Sequence, residues 1–327
     1  MRVLVASHVD VARWLPMPAC IEAMASAFTS LAAGDVVLPL RQVVHLPGTP
    51  NALFLMPAAD RAIGAIGTKA LTVFPGNDAG GIPSHQGVVL LFDAHDGRLT
   101  AILDAGTVTA IRTAAVSGLA TRLLANADAG DVAILGAGVQ ARTHLAAMCM
   151  VRQVRRVRVW SHRRARADAF AREAAASQGM AIEACGSART AVAGADIICT
   201  VTAAATPVLV GADIAAGAHI NAVGASSPTT RELDSAAVAM SRLFVDRRES
   251  ALAESGDVVI ARAEGAITDA HIRGELAELV TGAVRGRARH QDVTLFKSLG
   301  LAIEDLAAAH LVYERAVASG AGTWIEL

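Results

Sequence analysis

The sequence predicts an α/β protein in which a doubly wound parallel sheet is joined to a mixed α/β domain. Three observations lead there. From residue 131 onward, short apolar runs alternate with helix-like stretches. Before residue 115, β-like runs are instead strung between turn signals. One apolar run also opens through Gly136-Ala137-Gly138 straight into a helical pattern. Alternating strands and helices with apolar strands indicate a parallel sheet covered on both faces.

In chain order, residues 18–33 carry helical apolar spacing, with Ile21, Met24, Ala25, Phe28 and Leu31 on one face and Gly34-Asp35 as the stop. Runs 43–46, 52–56, 63–72, 87–92 and 99–104 follow, punctuated by Pro47-Gly48, Pro75-Gly76-Asn77, Gly80-Gly81 and the hairpin-like 93–97. They read as an antiparallel or mixed meander. An alanine-rich helix is expected over 112–125. Strands are expected at 132–135, 157–160, 181–184, 196–200, 218–222 and 243–245, with helices after Val139 and over 164–177. A single helix over 298–317 and a short strand at 323–327 lack a following βα partner, so they should pack back on the first domain.

Composition narrows the function. The chain has 327 residues, length for about two domains. With 29 basic and 30 acidic residues, a net charge of −1 and 3% aromatics, it lacks the basic surplus and stacking rings of a nucleic-acid binder. At 53% hydrophobic and 18% charged it is no disordered chain. Cys20, Cys149, Cys185 and Cys199 form no C-x-x-C pair, which suits reduced thiols in a cytoplasm and argues against a disulfide framework or a metal site. Mean hydropathy is +0.44. The longest uncharged stretch of the second half, 197–212, is studded with Thr200, Thr202, Thr206 and Pro207, and it is shorter than a membrane span. The first residues carry Asp10 and Arg13 where a signal peptide would be apolar. No membrane partner is expected. Only Lys69 and Lys297 among the basic residues are lysines. Lys297 reads equally well as a surface residue or as one chosen for its ammonium.

The chemistry-bearing motifs start with Gly136, Gly138 and Ala141, a G-x-G-x-x-A string between a strand and a helix. There, one glycine permits the tight turn, the next admits a pyrophosphate to the backbone, and the helix N-terminus favours the anion. At the end of the second strand, where an NAD site places a carboxylate, the chain reads Ser161-His162-Arg163-Arg164. No acid follows until Asp168. A 2′-phosphate on Ser161 and Arg163, or Arg164, makes NADP(H) the favoured cofactor, with NAD(H) open. The arginines 152, 155, 156 and 158 read as a solvated face. Lys69 lies inside an apolar run, where its charge needs a protein or substrate anion. His85 is a candidate acid, and Arg112, read as opening a helix, is placed for a carboxylate or phosphate.

Together the segments 69–77, 83–86, Arg112-Thr113-Ala114-Ala115, 136–141, 220–225 and 295–305 resemble the ornithine cyclodeaminase/mu-crystallin family, in order and over most of the chain. The resemblance implies a homodimer. It also implies a split substrate-binding and dimerisation domain (1–115 with 298–327) around a Rossmann domain (116–297). The substrate would be a small cyclic imino or amino acid whose carboxylate is held by Arg41, Lys69 and Arg112. Ser84, Thr113, Val139, Gln140, Thr202 and Val223 match cofactor-contacting positions, and Ser226 and Ser298 fall at the substrate.

One departure bears on the reaction. Ornithine cyclodeaminases resemble V-G-x-D-x-P-G-K-x-E-L after the fifth Rossmann strand, and the aspartate is their acid/base. Here Ser226 stands in its place and Thr230 in the lysine's. A serine has no useful pKa near neutrality. The mu-crystallin-like ketimine reductases also resemble A-S-x-P here. The expected activity is therefore reduction of a cyclic ketimine carboxylate, with Lys69, Arg112 and His85 as the residues acting on substrate. The alternatives are an ornithine cyclodeaminase or amino-acid dehydrogenase with bound NAD, and a non-catalytic binding protein on the same scaffold.

Overall fold

A computed structural model describes residues 2–327, including every side chain except those of residues 78–80. The chain divides into two compact units, Met1–Thr113 with Gly300–Leu327, and Ala114–Leu299. None of the described helices is long and apolar enough to cross a membrane.

The first unit is built on an eight-stranded mixed sheet. Its order is Thr323–Glu326, Arg2–Ala6, Leu99–Asp104, His85–Asp93, Ala65–Val73, Ala52–Asp60 and Val36–Val37, with Gln42–His45 also paired to Ala52–Asp60. Arg2–Ala6 runs parallel to Leu99–Asp104, and the other pairs are antiparallel. The meander is thus as the turn signals predict. The strand Arg2–Ala6 and the helix His8–Trp14 were not anticipated, although Ser7 and Asp10 form a capping box at that helix's start. Residues alternate between faces along each strand. Gly67, Lys69 and Leu71 face the helix Ala302–Ser319, whose Leu306 and Asp305 meet Gly67 and Lys69. That helix also packs on Met17–Ala33.

The helix expected at 112–125 instead runs from Ala105 to Leu124. Its start is fixed by Asp104, whose carboxylate accepts the Thr107 amide at 2.8 Å. Arg112 is therefore not at a helix start.

The second unit is a parallel eight-stranded sheet in the order Ile182–Ala184, Arg156–Trp160, Asp131–Leu135, Ile197–Thr200, His219–Ala222, Thr294–Lys297, Arg242–Val245 and Ile272–Glu275. The chain winds outward one way from Asp131–Leu135, then returns to its other side through Ile197–Thr200. That reversal is the switch point where such sheets bind ligands beyond the carboxyl ends of their strands. The helix expected over 298–317 is corrected here. Thr294–Lys297 is an interior strand, and the helix begins only at Ala302.

Of the two readings of Lys297, the surface one fails, because the side chain is fully buried. Two arginines differ from expectation. Arg158 is buried and donates to the carbonyls of Thr190 and Ala193. Arg152 donates to Thr121, Ala125 and Asn126, closing off the end of Ala105–Leu124. A guanidinium's five donors suit such unfilled helix carbonyls, so these two arginines serve the backbone.

Candidate active site

In the first unit, two cations meet two buried carboxylates. The sheet delivers Lys69 from mid-strand, and the first turn of Ala302–Ser319 supplies Glu304 and Asp305. Lys69 Nζ lies 2.8 Å from Asp305 Oδ2 and donates to Thr109 Oγ1 at 3.2 Å. Arg112 donates through Nε to Asp305 Oδ1 at 2.8 Å and through Nη1 to Glu304 Oε2 at 2.6 Å. All four side chains are buried. Burial pulls the Lys69 ammonium down to about 8, against the opposing attraction of Asp305. For Arg112, burial also works against the charge, but Asp305 and Glu304 together hold its pKa above the ordinary arginine value. Burial would raise the Asp305 carboxyl, but Arg112 and Lys69 keep it ionised and below its usual range. The anion that Lys69 needs is thus a protein carboxylate.

Arg41 joins this group through Gly300. Its Nη2 donates to the Gly300 carbonyl at 3.3 Å. Gly300 has φ +79°, and a Cβ there would sit 2.3 Å from Arg112 Nη1. Only glycine meets both conditions, so Gly300 lets the backbone pass against one arginine while holding the other. Arg41 lies near enough to Lys69 for its charge to push the Lys69 ammonium further down, so three cations gather about the first turn of Ala302–Ser319. Arginine and lysine side chains converging in this way can bind a carboxylate.

His85 is not brought to this group. It is exposed at the start of His85–Asp93, opposite Val73, with Ser84 Oγ 3.0 Å from its Nδ1. Lys69 pairs with Val89, four residues further along, about 13 Å at strand rise. Ser84 is half-buried and Thr113 is buried.

In the second unit, the glycine turn has the shape its sequence implies. Gly136 takes φ +124°, and a Cβ would lie 2.6 Å from the Val201 carbonyl oxygen. Around Gly138 a Cβ would meet nothing within 4 Å. No side chain caps the helix Val139–Val151 that follows. Open space over uncapped amides at a helix N-terminus is what a dinucleotide pyrophosphate requires, so these residues fit one. Val139 is 65% exposed beside the turn. The Gln140 side-chain oxygen is buried without a protein partner.

At the end of Arg156–Trp160, Arg164 is spent on Asp168, Nε to Oδ1 2.9 Å. Beside it Ser161 is half-buried and Arg163 exposed, with the Arg163 amide donating to Ser161 Oγ at 3.4 Å. Thr202 and Val223 lie just past the ends of two neighbouring strands. Ser226 is exposed on the loop beyond, and Ser298 is buried with its hydroxyl unpartnered. The sequence reading missed Gly300, Glu304 and Asp305 as members of the site, although all three fall in the segment 295–305.

The parallel sheet, its switch point and its glycine turn place the chain in the Rossmann-fold class. Residues 1–320 match the family model of the ornithine cyclodeaminase/mu-crystallin family, and the chain belongs to that family. Among similar proteins, the ketimine reductase mu-crystallin of Mus musculus is 43% identical over 294 residues, 90% of each chain. A Thermococcus litoralis Δ1-pyrroline-2-carboxylate reductase, solved with NADH and L-proline, is 40% identical with a TM-score of 0.96, over 98% of this chain and 99% of that one. An archaeal alanine dehydrogenase dimer with bound NAD is 28% identical with a TM-score of 0.94, over all of both chains.

Proposed function

We propose that this protein is an NAD(P)H-dependent reductase of small cyclic imino acids such as Δ1-pyrroline-2-carboxylate or Δ1-piperideine-2-carboxylate. The observation that carries the reading is the convergence of Arg41, Lys69 and Arg112 on one buried place, which supports a receptor for a carboxylate. The cofactor, when bound, supplies the hydride that adds to the imine carbon. Arg41, Lys69 and Arg112 hold the carboxylate, and Glu304 and Asp305 fix the two buried cations in place. Positioning then accounts for most of the task, because a cyclic iminium already bears its nitrogen proton and becomes a secondary amine on gaining hydride. That removes any need for His85 at the nitrogen. Ser226, standing where cyclodeaminases resemble an aspartate, favours reduction over ring closure with ammonia loss. The names of the similar mouse and Thermococcus reductases point the same way.

Purified protein with NADPH and Δ1-pyrroline-2-carboxylate should consume the reduced cofactor, while ornithine with NAD should release no ammonia. Ammonia and proline from ornithine, without imine reduction, would overturn this reading.

NADPH is the preferred donor, with NADH a slower second. The support is Arg163, exposed beside Ser161, with no carboxylate at that strand end. Arg163→Ala should raise KM for NADPH by about tenfold, the worth of one charge-assisted phosphate contact, and leave KM for NADH unchanged. An equal change for both cofactors would remove Arg163 from the 2′-phosphate.

The working unit is a homodimer, located in the cytoplasm in keeping with four free cysteines. Among the described residues of the first unit, no helix covers the sheet face opposite Lys69. Leu53, Leu55, Ile66, Val88, Leu90 and Phe92 share that face, and each is half-buried or exposed. A continuous apolar sheet face of this kind is suited to pack on its own copy. Leu90→Arg should halve the mass seen by light scattering. A wild-type mass of 33.5 kDa would show a monomer instead.

A further inference from the structure

A second buried ion cluster lies at the carboxyl ends of three neighbouring strands in the second unit, and the roles assigned so far do not use it. Glu232 is completely buried. Its Oε1 accepts the Thr202 amide at 2.6 Å and the Thr202 hydroxyl at 2.7 Å. Its Oε2 accepts the Thr200 hydroxyl at 2.8 Å and the Gly224 amide at 2.6 Å. Asp257 in turn accepts the amides of Glu232 and Leu233 at 2.8 and 2.9 Å. Lys297 lies 2.9 Å from Asp257 Oδ2 and donates to the Ala225 carbonyl at 2.6 Å. One carboxylate therefore ties the segment after Ile197–Thr200 to the segment after His219–Ala222. The Lys297–Asp257 pair fixes the loop that returns between them.

Buried ion clusters seldom stabilise a fold better than apolar packing would. Their value lies in holding one geometry, and this one sits where a parallel sheet presents its ligand. The two segments it joins contain Thr202 and Val223. Both Thr202 donors are engaged, its hydroxyl also accepts the Ala204 amide at 3.1 Å, and the Val223 amide is held by the Thr200 carbonyl at 3.0 Å.

We propose that Glu232, supported by Asp257 and Lys297, is a positioning residue that locks the Thr202 and Val223–Gly224 backbones into the conformation that receives the nicotinamide cofactor. This rests on the cofactor reading given above. Glu232 itself is buried beneath those segments and acts through them.

Each carboxylate oxygen receives one backbone N–H. In Glu232→Gln the new amide nitrogen must therefore confront either the Thr202 or the Gly224 amide, whichever way it turns. Thr200→Val removes one bond to Glu232 from a fully buried side chain and leaves both receiving segments unaltered. The test is titration of NADPH into each protein without substrate, followed by cofactor fluorescence, beside thermal melts. The dissociation constant should rise about tenfold in Glu232→Gln and about threefold in Thr200→Val, with kcat changing less than KM. Lower melting temperatures with NADPH affinity within twofold of wild type would make the cluster purely structural and overturn the proposal. If Glu232→Gln does not fold, Thr200→Val decides alone. A wild-type protein that binds NADPH yet reduces no cyclic imine would overturn the functional reading and leave this one standing.

Discussion

Lys69→Met should lower kcat/KM for the cyclic imino acid by about two to three orders of magnitude, mostly through KM. In the proposed carboxylate receptor Lys69 supplies a buried ammonium beside Arg41 and Arg112, and methionine fills its volume without the charge. The same residue gives the wild-type protein a pH signature. With burial holding its ammonium at about 8, raising the pH through that value discharges the free site. Pyrrole-2-carboxylate, an anion with no imine to titrate, should then bind progressively more weakly above about pH 8, toward tenfold per unit. Stability should move the opposite way. The unfolded lysine keeps its proton to about 10.5 while the folded one releases it near 8. Between those values the unfolded state binds more protons, so stability rises with pH. Lys69→Met should flatten both trends. A wild-type affinity constant from pH 7 to 9.5 would show that Lys69 is not the titrating receptor group.

Arg112→Met should be chiefly a folding defect, costing about 3–5 kcal/mol, because it leaves buried carboxylates without their shared cation. Its pH dependence should invert. In the wild type, Asp305 is held below its unfolded value, so its contribution is present above that value and is lost only as the pH falls through the folded pKa. Without Arg112 the strongest opposing attraction is gone and burial favours the protonated carboxyl. The variant should therefore regain stability as the pH falls from 7.5 toward 5, narrowing its gap to the wild type in denaturant midpoints. A gap that stays constant over that range would show that the carboxylates are not left charged. Arg112→Lys should fall between the two, since an ammonium cannot reach Asp305 and Glu304 with the same fork.

The fold class and the glycine turn were legible because both rest on local pattern. Apolar runs, helical spacing and Gly136-x-Gly138 each act within a few residues. Lys69 was legible for a similar reason, since an ammonium in an apolar strand demands an anion. What the anion was could not be read. Glu304 and Asp305 open a helix, where acidic residues are ordinary partners of the dipole, and nothing local separates a solvated first turn from a buried one. Glu232 sits in a polar stretch, Thr229-Thr230-Arg231-Glu232, that reads as surface. Its partners Thr200, Thr202 and Gly224 are supplied by the ends of other strands. Arg112 was misplaced because the alanine-rich run after it is the clearest helical stretch, whereas the true start rests on Asp104 accepting the Thr107 amide. Arg152 and Arg158 looked solvated because the carbonyls they fill belong to distant turns. The errors share one cause, which is that long-range charge pairing leaves no periodic trace.

The strand Thr294–Lys297 has a consequence for how the chain is made. It lies between His219–Ala222 and Arg242–Val245, inside the parallel sheet, yet it is the last of the eight strands to be synthesised. The helix Ala302–Ser319, which covers the other sheet and carries Glu304 and Asp305, comes later still. As the chain leaves the ribosome, the early unit waits with Lys69 and Arg112 unneutralised beneath a missing helix, and the later unit waits with a gap at its centre. Neither core can close by N-terminal-first folding, because one needs residues 294–297 and the other residues 302–319. Nascent chains stalled before residue 294 should therefore remain protease-sensitive throughout.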